Sequence, residues 1–209
     1  MEGINNIVEL CGTTAEKPRF SHNGGGENYF IFPLEIERLS GYVDKINIIA
    51  REDLLESLEV NDCSRIKVAG ELRSFNNKRG GGSRLVITVL AKDICFSDDE
   101  DRNFVWLSGV ICKPPNFRKT PMGRQISDIM LAVNRRYGRS DYLPCIAWGR
   151  LAETAANLQV GDSLSFEGRI QSRKYTKTEN DTVNERTAFE VSIVTLFEED
   201  AQTEETSSE

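Results

Sequence analysis

Tyr137, Tyr142, Trp148 and Tyr175 fall in one stretch of the chain, interleaved with Arg118, Lys119, Arg124, Arg135, Arg136, Arg139, Arg150, Arg173, Lys174 and Lys177. Rings and cations in that mixture suit one kind of chemistry. A planar aromatic face stacks on any base, at about 1–3 kcal/mol per base. Lysine and arginine contact the phosphates between bases. The pattern is the footprint of a surface for single-stranded nucleic acid. Trp148 also ends an apolar run, where a ring equally suits a core, and only its basic surroundings argue for the surface.

Other chemistries find little support. The only histidine is His22, in a Ser-His-Asn-Gly turn, so no histidine-based triad or His-rich metal site can form within one chain. The five cysteines (Cys11, Cys63, Cys95, Cys112, Cys145) are scattered, with no C-x-x-C pair. Neither the Gly24–Gly26 nor the Gly80–Gly82 run offers the G-x-x-x-x-G-K-[ST] order, from strand into helix, of a phosphate-cradling loop. The expectation is a protein with no catalytic residues, no metal and no cofactor. No apolar run approaches the roughly 18 residues of a membrane helix, and the opening MEGINNIVEL has no basic-then-apolar leader. These features predict a cytoplasmic, nucleoid-associated protein that does not contact membrane.

The net charge of −7 is unevenly spread. Residues 1–97 hold 12 Lys/Arg against 14 Asp/Glu, or −2, and residues 98–102 give −3. Residues 103–197 hold 13 against 9, or +4, and residues 198–209 give −6. Acidity is concentrated in a short joint and a tail, while the aromatic stretch is basic. Asp98–Asp101 reads as a solvated linker and 198–209 as a disordered tail.

The segments to either side of the joint repeat. Asn6–Gly12 matches Asn103–Gly109 at an offset of 97, which runs on through Phe20/Phe117, Arg38/Arg135, Asp44/Asp141 and Leu54/Leu151. At Gly70-Glu71-Leu72 against Gly168-Arg169-Ile170 the offset becomes 98. Each copy alternates apolar and polar residues at strand spacing, as in Leu164, Phe166, Gly168, Ile170, and carries one helical stretch such as Gly149–Asn157. Three strands, a helix and two strands is the order of an OB-fold barrel. The expected fold is all-β: two tandem five-stranded OB barrels, each with one short helix, over 1–97 and 103–197. Gly12, Gly70, Gly109 and Gly168 lie inside strands, where they suggest bends or bulges that close a small sheet. Lys174–Arg186 reads as a long polar loop.

The run Cys145-Ile-Ala-Trp-Gly-Arg-Leu-Ala-Glu153, then Gly161-Asp162, then Phe166-Glu-Gly-Arg-Ile-Gln-Ser-Arg-Lys-Tyr175 resembles the bacterial single-stranded DNA-binding protein family. Leu131–Tyr137 and Asn103–Gly109 agree, so the resemblance covers 103–197 well and 6–96 only through the repeat. It implies non-catalytic binding of single-stranded DNA in replication, recombination or repair. It places the stacking rings on Tyr137, Tyr142, Trp148 and Tyr175, with Arg118, Lys119, Arg124, Arg135, Arg136, Arg150, Arg173 and Lys174 at phosphates. The same positions in repeat 1 hold Ser40, Lys45, Arg51 and Asn77, so that repeat lacks all four rings. Its candidates are Arg51, Phe75, and Lys78 and Arg79 in a basic loop, with Tyr29 and Tyr42 as further rings. The resemblance also implies a homodimer of four barrels through the OB domains, with replication or repair proteins as further partners. The tail lacks the family's acidic-hydrophobic tip. The degenerate first repeat and acidic balance favour a second reading, an OB-fold interaction module of the replisome or primosome with secondary nucleic-acid binding.

Overall fold

A computed structural model gives the fold and describes residues 4–56, 58–77, 85–179 and 182–197, with the side chains of 137, 174–179 and 182–186 left out. The first repeat runs β1 (Asn6–Thr14), β2 (Arg19–Gly24), β3 (Glu27–Glu37), β4 (Val43–Arg51), α1 (Glu52–Glu56), β5 (Arg65–Asn76) and β6 (Leu85–Phe96). The second runs β7 (Arg102–Lys119), β8 (Gln125–Asn134), a 3₁₀ turn (Arg136–Gly138), β9 (Ser140–Trp148), α2 (Arg150–Ala156), β10 (Ser163–Glu179) and β11 (Thr182–Phe197). No helix among the described residues is long and apolar enough to cross a membrane.

Alternation sets which face of each strand is buried. On β9 Asp141, Leu143, Cys145 and Ala147 point inward, while Tyr142 and Trp148 stay exposed. On β3 the buried set is Phe32, Leu34 and Ile36. Each sheet closes on itself. In the second repeat β7, β8, β9, β11 and β10 pair in that order, and β10 returns to β7. In the first, β1, β5, β6, β4 and β3 do the same, with closure at Thr13↔Glu35 and Thr14↔Leu34. The single long β7 does the work that β1 and β2 share in the first repeat. Its register shifts between Ile111 and Asn116, across Pro114 and Pro115, where the first repeat breaks before Pro18.

The in-strand glycines are required for closure. Register shifts fall at Ala69/Gly70 and Glu167/Gly168. A Cβ on Gly70 would stand 2.3 Å from the Leu90 carbonyl oxygen, and one on Gly168 2.5 Å from that of Ser192. Strand backbones approach too closely there for any side chain.

The two barrels share a ladder. β1 pairs antiparallel with β7 from Asn6↔Leu107 to Cys11↔Arg102. The offset of 97 carries Asn6↔Leu107 onto Leu10↔Asn103 and maps Val8↔Val105 onto itself, so a local two-fold axis passes through that pair. Around the axis two buried carboxylates clasp the opposite repeat. Asp44, paired with Arg38 at 2.6 Å, accepts hydrogen bonds from the Ser172 amide at 2.8 Å and its hydroxyl at 3.1 Å. Asp141, paired with Arg135, accepts from the Ser74 amide and from Arg73. Ser74 and Ser172 are equivalent under the offset of 98.

One sequence expectation gains detail here and another changes. The acidic joint is exposed and also held: Arg65 reaches Asp101 at 2.6 Å and the Asp99 carbonyl at 3.0 Å, and Lys67 reaches Asp99 at 2.8 Å. Lys174–Glu179 and Thr182–Arg186 form no loose loop. Their backbone continues the β10–β11 ladder to Glu179↔Thr182. The tail at 198–209 lies outside the described residues.

Candidate nucleic-acid interface

β7, β8 and β9 present one outward face, organised in rows of cross-strand partners. The row nearest the β7–β8 turn is Arg118, Ile126 and Trp148. Next come Asn116, Asp128 and Ile146, then Lys113, Met130 and Pro144, then Val110, Ala132 and Tyr142. Trp148 is 37% exposed and Tyr142 52%, whereas Ile126 is buried within its row. Six residues of extended strand separate the two rings by about 20 Å.

Cations border the tryptophan end. Arg118 lies two strands from Trp148 and holds Asp128 through Nε at 2.7 Å and Nη2 at 3.1 Å. Those hydrogen bonds raise its pKa above the ordinary guanidinium value, so it is charged at any working pH. Lys119 and Arg124 are exposed to either side of the adjoining turn, which is closed by the Thr120 amide on the Arg124 carbonyl at 2.8 Å. Arg150 follows Trp148 by two residues and opens α2, also exposed. Gly149 between them has φ +56, a turn from strand to helix that favours glycine.

The tyrosine end lies where the repeats meet. The Tyr142 amide donates to the Ser74 hydroxyl at 2.8 Å. Phe75, next to Ser74 on β5, is 49% exposed. Arg136 is exposed on the 3₁₀ turn, and Arg173 is exposed on β10. The side chains of Tyr137, Lys174 and Tyr175 lie outside the described residues. The backbone of the last two runs in the β10–β11 ladder opposite Thr187 and Arg186. Lys78 and Arg79 lie outside the described residues altogether.

Arg135 and Arg51 sit differently from the phosphate contacts the sequence suggests. Arg135 donates to the Asp141 carboxylate and to the Ser74 carbonyl at 3.1 Å, which commits its guanidinium to the joint between repeats. Arg51 pairs with Asp53 on the first barrel. Tyr42 is likewise engaged: the Arg38 guanidinium lies 4.6 Å over its ring, and its hydroxyl donates to the Ser172 carbonyl at 3.4 Å. One pairing escapes the sequence. His22 and Tyr29 stack with centroids 4.9 Å apart and planes 6° from parallel. Their approach depends on a register shift between Phe20 and His22 that no spacing rule signals. Among the described residues no group of three or more His, Cys, Asp or Glu could hold a metal ion.

Comparison with known proteins agrees with this geometry. Residues 102–197 match the model of the Single-strand binding protein family. Single-stranded DNA-binding protein 2 of Listeria innocua is 36% identical over 88 residues, 39% of this chain and 55% of that protein. Single-stranded DNA-binding protein A of Bacillus subtilis is 35% identical over 88 residues, covering 39% and 51%. The chain thus spans about half the length of the curated relatives it matches. The crystal structure of the wild-type single-stranded DNA binding protein from Thermus aquaticus superposes with a TM-score of 0.75 at 25% identity, covering 92% of this chain and 91% of that one. That likeness runs through both barrels.

Proposed function

We propose that the chain, whose residues 102–197 match the model of the Single-strand binding protein family, binds single-stranded DNA with little sequence preference, in replication, recombination or repair. The observation that carries this reading is the outward β7–β8–β9 face, with exposed Trp148 and Tyr142 on one strand and Arg118, Lys119, Arg124 and Arg150 about them. Bases stack on the rings and phosphates meet the cations, contacts that do not depend on base identity. Phe75, Arg136 and Arg173 extend the path past Tyr142, and Tyr137, Lys174, Tyr175, Lys78 and Arg79 continue it by sequence. Arg135 serves this path less directly, since the buried Asp141 holds it, whereas Arg118 and Arg51 pair with the part-exposed Asp128 and the exposed Asp53, which a phosphate can displace. Anisotropy of labelled oligo-dT and a duplex of equal length, at two salt concentrations, tests the proposal. The single strand is expected to bind far tighter, with a slope of log affinity on log salt of about −0.7 per phosphate neutralised. Equal affinity for the duplex contradicts it.

Self-association into a homodimer of four barrels belongs to the same reading. The β1–β7 ladder turns Ile7, Phe104 and Trp106 to its outer side, half-exposed, with Arg102 over the Phe104 ring at 5.2 Å and paired to Glu9 at 2.8 Å. Such an apolar strip suits a second copy. Light scattering should give twice the chain mass, and Trp106→Glu should return it to that of one chain.

A further inference from the structure

The first barrel presents the same outward face, and its rows can be matched to those of the second. The offset of 97 carries Ile126 onto Tyr29 and Trp148 onto Arg51, and Tyr29 pairs with Arg51 across β3 and β4. The register shift between Phe20 and His22 sets His22 opposite Tyr29. The row is therefore His22, Tyr29, Arg51 where the second barrel has Arg118, Ile126, Trp148. In the second barrel the cation is on the first strand and the ring on the last. In the first barrel the order is reversed. The composition of the row survives although none of the four aligned ring positions does.

The geometry suits stacking. The buried residues of β3 and β4 are Phe32, Leu34, Ile36, Asp44, Ile46, Ile48 and Ala50, so Tyr29 and Arg51 are on the outer side. His22 is exposed and Tyr29 half-buried. Gly24, at the end of β2, lies against both rings and adds no side chain: a Cβ there would stand 3.5 Å from Tyr29 Cε2 and 3.6 Å from His22 Cδ2. Arg19, Ile31 and Ile49 form the next row and supply a second cation. Carboxylates are also close, since Arg51 pairs with Asp53 and Asn28 donates to Glu52 at 2.9 Å.

We infer that the His22–Tyr29 pair is a stacking platform for a base of single-stranded DNA in the first barrel, with Arg51 exchanging Asp53 for the adjoining phosphate. This rests on the proposed function. The neighbouring acids make the platform weak alone, so it acts on a strand already held by the second barrel, where the local concentration of bases is high. Its contribution depends on strand length.

The test uses the full chain with His22→Leu and Tyr29→Leu together, and oligo-dT of two lengths. A strand of about eight nucleotides fits one barrel, and one several times longer crosses both. The double variant should lose about tenfold in affinity for the long strand, the equivalent of one lost stack, and nothing for the short one. An unchanged affinity for the long strand overturns the inference, and so does an equal loss on both lengths. Should the double variant melt early, Tyr29→Trp in a chain with Trp106→Phe and Trp148→Phe replaces it: at strand concentrations where anisotropy shows the long strand bound, fluorescence quenching supports the platform, and its absence overturns it. Failure of the unaltered chain to bind either strand would instead refute the proposed function.

Discussion

Trp148 and Tyr142 share one face of β9 about 20 Å apart, too far for one base to touch both. Under the proposed function each is a separate platform, and their losses should be separable. Trp148→Ala or Tyr142→Ala is expected to weaken oligo-dT binding by about 5- to 150-fold, the range set by roughly 1–3 kcal/mol per stacked base; titration of each single variant measures it. Arg135 and Arg136 are neighbours with opposite expectations. Asp141 is fully buried, and Arg135→Leu strips it of its main counter-charge, so thermal melting should show a loss of about 3–5 kcal/mol. Arg136→Ala should leave the melt unchanged and lower DNA affinity. The thiols divide similarly. Burial raises the pKa of Cys145 and Cys112, disfavouring the reactive thiolate, whereas Cys63 and Cys95 are exposed. In thiol titration at pH 8, Cys63 and Cys95 should react first and Cys145 only on unfolding.

At the scale of elements, the strands and their closing points were readable because periodicity and glycine are local signals. Alternation in Leu164–Ile170 marks β10, and the four in-strand glycines mark where backbones crowd. Gly168→Ala should accordingly cost about 1–3 kcal/mol by overpacking against the Ser192 carbonyl, seen as a lower denaturation midpoint. What escaped the sequence depends on partners far along the chain. Nothing near Asp99 and Asp101 signals that Arg65 and Lys67, some thirty residues back, hold them. Nothing near Arg135 signals the Ser74 carbonyl. The His22–Tyr29 stack was hidden by a single bulge, since a one-residue shift moves a side chain to the other face. The aromatic and basic composition of the second face was legible; the division of its arginines between binding and scaffolding was not.

For the whole molecule, the internal two-fold axis through Val8↔Val105 makes one chain resemble a dimer of barrels. The reciprocal Asp44–Ser172 and Asp141–Ser74 contacts fix the barrels relative to each other. The shared ladder and these contacts join the two barrels, and Arg65 and Lys67 hold the acidic joint to the first. Charge is apportioned accordingly, with the +4 segment carrying the proposed binding face. The central claim is that single strand stacks on the second barrel, and tryptophan fluorescence tests it most directly. In a chain with Trp106→Phe, only Trp148 reports. Titration with oligo-dT should quench that fluorescence to saturation, and a matched duplex should not. No quenching by the single strand, or equal quenching by the duplex, would contradict the account.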